Sequence, residues 1–211
     1  MKRINTSDII YNQIKSDFIN NKIDFGQKIS EINLANQYRV SRTPLREAIK
    51  KLEIEGIIVR QVNGRLKIVE ISAENIEELY RVRLALENML IRFAANDIEF
   101  IDKLGTNITT SQNLIDENNF DKARIEIAKF TNIIYEHITL DTTRNLLKSY
   151  SVLVAKIKNN TLSSHSRIKQ ALQEHKNIHE ALANNNIDLA CKLNEAHLQG
   201  AFQEIISQYF N

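Results

Sequence analysis

The residues best suited to chemistry lie in one run, Val40-Ser41-Arg42-Thr43-Pro44-Leu45-Arg46-Glu47-Ala48-Ile49. Arg42 and Arg46 are four residues apart, so a helix would carry them on one face. A guanidinium is a planar fork that bonds a phosphate or a guanine edge with two N–H groups at once. Thr43 can cap a helix whose first position is Pro44, where a missing N–H costs nothing. Leu45, Ile49 and Leu52 recur at helical spacing and mark the buried face. Such a helix offers two arginines near its N-terminus, where a major-groove helix meets phosphates and base edges. The same spacing also suits an ordinary amphipathic surface helix, so the neighbouring elements must decide.

Upstream, Glu31-Ile32-Asn33-Leu34-Ala35-Asn36-Gln37-Tyr38-Arg39 reads as a short helix ending in a tight turn. Downstream, the helix closes at Gly56 and runs into a strand through Arg60. Asn63-Gly64 is a strong hairpin signal and joins that strand to Leu66-Lys67-Ile68-Val69. Helix, turn, helix and β-hairpin make a winged helix-turn-helix. Ahead of it, Ser7 can cap a helix to about Asn20 that carries Ile10, Ile14 and Phe18 on one face. Lys28-Ile29-Ser30 predicts a short strand beside the wing.

The chain of 211 residues has room for one or two domains. It holds no apolar run long enough to span a membrane, and polar residues follow Met1-Lys2-Arg3, unlike a signal peptide. The single cysteine, Cys191, rules out an internal disulfide and fits a reducing cytoplasm. Net charge is only +2, but residues 1–70 hold thirteen Lys or Arg against eight Asp or Glu. A basic head on a mildly acidic body fits nucleic-acid binding by the head, whereas a non-specific DNA binder would need a broadly basic surface. From Ala73 onward the period is helical. Helices are expected near 73–95, 98–115, 119–138, 142–162, 168–184 and 187–209. Short breaks between long helices imply antiparallel neighbours in a bundle. The predicted fold is mainly α, with a winged helix-turn-helix domain over 1–72 and an all-helical domain over 73–211.

With these elements in place, the chain resembles the GntR family of bacterial transcription regulators. More narrowly it resembles the FadR subfamily, whose C-terminal half is the all-helical FCD domain. The head residues that carry this are Leu34-Ala35, the run Val40 to Ala48, Leu52-Glu53 and Glu55-Gly56. In the body they are Leu79-Tyr80, Arg83, Leu86-Glu87, Glu174-His175, Ile178, Ala181, Asp188, Ala190 and His197-Leu198. The resemblance implies a homodimer on double-stranded operator DNA and a small effector, often an organic acid, in the body. Repression is the commoner mode. It also implies DNA contacts by Arg42, Arg46 and the wing-tip Gly64, with Thr43 on a phosphate. Some members have a further basic residue where this chain has Ile32. Arg39, Lys50 and Arg65 are added from their placement near the turn, helix and wing. Each is equally readable as a solvated charge.

Many FCD domains hold a divalent metal through an Asp or Asn and a His one helical turn apart, followed by two further histidines. Residues at i and i+4 share a helix face and can point at one ion. Aligned through Asn145, the four positions fall on Asn132, Glu136, His175 and His197. Two imidazoles and a carboxylate suit Zn, Ni, Fe or Mn. A shifted register would bring Glu126 or His137 near instead, and His175 with His179 is a second possible clip. The alternative is a polar core without metal. Arg83 is expected to receive the effector carboxylate. Its alternative is an ion pair with Glu87, one turn away. The overall expectation is a cytoplasmic, effector-controlled repressor and not an enzyme. A metal-ion-sensing regulator is the alternative. A metal-dependent hydrolase is less favoured, because no motif supplies its general base.

Overall fold

The computed structural model describes residues 5–137, 140, 142–143, 146–147, 152–157 and 164–210. The chain divides into two compact units. The first contains 1–72 together with 149–159, and the second contains 73–148 and 160–211.

In the first unit, α1 (Thr6–Ile19) buries Ile10, Ile14 and Phe18. Its cap is Asn5, whose side chain accepts from the Ser7 N–H. Ser7, expected as the cap, instead lies inside the helix and is buried. The strand β1 (Lys28–Ile29) precedes α2 (Glu31–Gln37) and α3 (Arg42–Ile54). Two further strands follow, β2 (Ile58–Arg60) and β3 (Leu66–Ile68). The antiparallel sheet runs in the order β1-β3-β2, with Ile58 opposite Ile68 and Arg60 opposite Leu66. Leu66 and Ile68 point into the core and Lys67 lies between them, half-buried. Leu45, Ala48, Ile49 and Leu52 of α3 complete that core with the α1 residues.

Each helix of the helix-turn-helix ends at a left-handed residue. Arg39 has φ 53° after α2, and the Val40 N–H closes back on the Ala35 carbonyl at 3.0 Å. Gly56 has φ 70° after α3, with Ile57 N–H on Leu52 O at 2.9 Å and Gly56 N–H on Glu53 O at 3.1 Å. This pair of bonds satisfies carbonyls at the helix end, and glycine takes that φ without strain.

The segment 152–157 is helical and supplies Val152 to the same core. Lys156 is 1% exposed. Its ammonium donates to the Phe18 carbonyl at 2.9 Å, the Ile23 carbonyl at 2.7 Å and Asn21 Oδ1 at 3.1 Å. It also lies over the Phe18 ring, 4.6 Å from its centre. A cation there faces the negative, C-terminal end of α1.

The second unit contains α4 (Ala73–Ala94), α5 (Ile98–Asp116), α6 (Phe120–His137), α7 (His165–Ala183) and α8 (Ile187–Phe210). Asp97 caps α5 by accepting from Phe100 N–H. Asn118 and Asn185 turn the chain between helices with φ 58° and 54°. The core holds Leu90, Ile91, Phe100, Leu104, Phe130, Ile134 and Ile178. Most of the helix expected over 142–162 lies outside the described residues. No described helix is long and apolar enough to cross a membrane.

Candidate DNA interface and polar bundle core

The helix α3 starts two residues earlier than its sequence suggests. Ser41 is the capping position, with extended backbone, and Arg42 opens the helix. Thr43 is therefore an exposed first-turn residue and not the cap, and Pro44 sits third, where its missing N–H still breaks no helical bond. Arg42, Thr43, Arg46 and Lys50 are all exposed, while Leu45, Ala48 and Ile49 are buried. Arg39 in the turn is exposed as well. The expected DNA-facing residues of the helix-turn-helix thus share its solvent side.

Arg46 is 61% exposed, and its Nε donates to Glu31 Oε2 at 2.8 Å. Glu31 opens α2, so this pair ties the recognition helix to the helix before it. The wing tip spans Gln61 to Arg65. Gly64 N–H donates to Gln61 O at 2.8 Å, and Arg65 N–H donates to Asn63 Oδ1 at 3.0 Å. Gly64 and Arg65 are both exposed. At the wing base, Arg60 Nε donates to Glu53 Oε1 at 2.9 Å. Sequence assigned no partner to Glu31 or Glu53. Only their acidity near basic neighbours in the fold reveals them.

In the body, the buried arc of α6 is Ala123, Ile127, Phe130, Thr131, Ile134 and Tyr135. Asn132 and Glu136 are exposed. The anchor of that alignment, Asn145, lies outside the described residues. The apolar stripe fixes the helix face and turns Asn132 and Glu136 to solvent. The structure does not bring them to His175 and His197. Those two histidines do meet, with ring centres 4.7 Å apart, and His175 stacks on Phe130 at 3.9 Å and 11°.

The other candidates are engaged elsewhere. Glu126 accepts from Asn107 Nδ2 at 2.9 Å, and His137 Nε2 lies 2.8 Å from Asp97 Oδ2. His179 faces α5. A Cβ on Gly105 would come within 3.0 Å of His179 Nε2, so that close approach favours glycine. Among the described residues no three His, Cys, Asp or Glu side chains gather as a metal site. The residues present do not fit the divalent ion that the resemblance implies.

Arg83 is buried on α4, with Nε donating to Glu87 Oε1 at 2.9 Å. Tyr135 donates its hydroxyl to the same oxygen at 2.5 Å. Glu87 is 1% exposed. Burial works against the Arg83 charge, but Glu87 outweighs it and holds the guanidinium protonated. Burial pushes the Tyr135 phenol far up, with Arg83 opposing and Glu87 adding to it. A second set joins α7 to α8. Glu174 Oε2 lies 2.6 Å from His197 Nδ1 and accepts from Arg167 at 3.1 Å, while Arg167 also bonds Glu204 at 3.0 Å. Burial raises the Glu174 pKa, but His197 and Arg167 outweigh it and hold the carboxyl below its ordinary value.

Residues 6–68 match the family described as bacterial regulatory proteins, gntR family, and residues 78–200 match the FCD domain. The chain is 26% identical over 183 residues to the HTH-type transcriptional regulator YdhC of Bacillus subtilis, covering 85% of this chain and 82% of that one. It is 34% identical over 88 residues to the gluconate operon transcriptional repressor of Bacillus subtilis, covering 41% of this chain and 36% of the repressor. Among solved structures, E. coli McbR/YncC superposes with a TM-score of 0.76 at 16% identity, covering 98% of this chain and 100% of that one. A GntR transcriptional regulator from Rhodococcus sp. RHA1 gives 0.73 at 18% identity, with 96% and 98% covered. At these identities the structures speak for the fold alone.

Proposed function

The chain belongs to the GntR family of bacterial regulatory proteins, with an FCD domain of the FadR type as its helical body, and we propose that it is a homodimeric operator-binding repressor controlled by a small carboxylate. The observation that carries DNA binding is the exposed row Arg42, Thr43, Arg46 and Lys50 on a helix whose other face is locked into the head core. Arg39 in the turn and Gly64 and Arg65 at the wing tip are exposed as well. Phosphate contacts would give salt-dependent affinity, and the arginines of α3 would read base edges. Repression is supported by relatives named as operon repressors, for gluconate and for D-xylose utilization.

A carboxylate effector is supported by a buried guanidinium, Arg83, in the bundle core. The effector would compete with Glu87 for that cation. It shifts the protein between DNA-binding states only by its differential affinity for them. A metal-sensing reading is disfavoured by the donor set. The family and the relatives are transcription regulators, which leaves a hydrolase without support.

The test is a map of genomic DNA fragments that co-purify with the protein from its host. Sharp peaks sharing a short palindrome beside an operon are expected, and the operon nominates the acids to titrate. Broad, salt-sensitive coverage without a motif would overturn operator-specific regulation.

A further inference from the structure

We propose that the helical body of this chain works without a metal ion, and that Thr131 and Tyr135 occupy the places from which a carboxylate and an imidazole would otherwise bind one. The resemblance calls for two ligands one turn apart on one helix, facing two histidines from others. On α6 the only polar members of the buried arc are Thr131 and Tyr135, one turn apart. Phe130, adjacent to Thr131, carries His175 stacked on its ring, and His197 packs against His175. The buried arc of α6 that holds this pair therefore packs toward the histidines, and the pair lies one position before the residues that sequence alignment chose.

Neither replacement is a good ligand. A threonine hydroxyl is neutral, and the Tyr135 phenol is committed as a donor to Glu87. Zinc and its neighbours need three or four nitrogen, sulfur or carboxylate donors, deprotonated where they can be. The nearby carboxylates are already taken. Glu87 is turned to Arg83 and Tyr135, and Glu174 holds His197 Nδ1 and Arg167. What remains is a histidine pair, below what a structural site requires. In its place stands a network in which Arg83 supplies the positive charge that an ion would bring. A ligand in this core would then be bound by the protein's own hydrogen-bonding groups, with no ion between. Only this last consequence rests on the regulator reading. The metal question is decided without DNA.

The experiment uses the full chain, purified without chelator. Elemental analysis is followed by calorimetric titration with Zn²⁺, Ni²⁺ and Mn²⁺ for the wild type, His175→Ala, and the double variant Thr131→Asp with Tyr135→His. The wild type is expected to carry no stoichiometric ion and to show no saturable binding that depends on His175. The double variant is expected to take up one ion per chain, to melt at a temperature that rises with ion concentration, and to lose both properties when His175→Ala is added. A wild-type protein holding one ion that His175→Ala removes would overturn the proposal. A folded double variant that gains no ion would overturn the assignment of Thr131 and Tyr135 to the ligand places. Should the double variant fail to fold, the wild-type arm still decides.

Discussion

Arg46→Ala is the most direct test of how the head reads DNA. In the free protein Arg46 is 61% exposed and makes one ion pair, with Glu31. Exposed pairs of this kind contribute about 0–1 kcal/mol, and alanine is at least as good a helix former as arginine. The neighbours Leu45 and Ile49 carry the packing and are untouched, so the fold should keep its stability. On operator DNA, a guanidinium bidentate to a base contributes about 1–3 kcal/mol, or roughly a 5- to 150-fold loss in affinity on removal. The assay is fluorescence anisotropy with operator and random duplexes of equal length over several salt concentrations. The operator should lose far more than the random duplex, with little change in salt slope. An equal loss on both, with a slope shallower by about one, would show that Arg46 only holds phosphate and would refute base reading. Glu31→Ala separates competition from orientation. If Glu31 merely competes with DNA for the guanidinium, affinity holds or improves. A loss matching Arg46→Ala would mean that Glu31 aims it.

Three further outcomes are expected. Lys156→Met keeps most of the apolar stem but removes three hydrogen bonds and a cation over the Phe18 ring, so denaturant melts should show a loss of about 3 kcal/mol, and a loss below roughly 1 would contradict the role given to the ammonium. Arg83→Ala strands a buried Glu87 carboxylate and should cost about 3–5 kcal/mol, whereas Arg83→Met with Glu87→Leu should recover most of it, as apolar replacement of buried ion pairs tends to do. Glu174 titrates below its ordinary 4.5 in the fold, so its stabilisation is full above that value and disappears as pH falls through the lowered one. Thermal melts in acid should accordingly be less pH-sensitive in Glu174→Gln than in the wild type.

The head was legible because each of its parts has a local signal. The helical repeat of Leu45, Ile49 and Leu52 gave the buried face of α3, Gly56 gave its end, and Asn63-Gly64 gave the wing. The turn was less legible, since Arg39 takes a left-handed φ that sequence would sooner assign to glycine or asparagine. Caps moved by two residues, from Ser7 to Asn5 and from Thr43 to Ser41, because neighbouring polar residues compete for the same role. In the body the breaks at Asn118 and Asn185 could be read. The rotation of α6 could not be read from a distant anchor. Its own stripe, Ala123, Ile127, Phe130 and Ile134, would have placed Asn132 and Glu136 outside. A one-residue slip is a 100° turn on a helix, enough to exchange a buried pair for an exposed one.

Lys156 had no sequence signal, and it bears on how control can reach the DNA-binding head. The chain leaves the body unit after Lys148, contributes 149–159 to the head unit, and returns at Asn160. The head core thus includes Val152, and a fully buried lysine, Lys156, stands at the end of α1. A buried ammonium with three acceptors tolerates little displacement, since losing them leaves a desolvated charge. An effector that alters the body by binding one of its states more tightly can therefore act on α1 through the covalent chain itself. Such a route needs only continuity of the chain. It also predicts where uncoupling variants lie. They would be substitutions within 152–157 that spare operator affinity yet blunt its response to effector, away from both the recognition helix and the polar core.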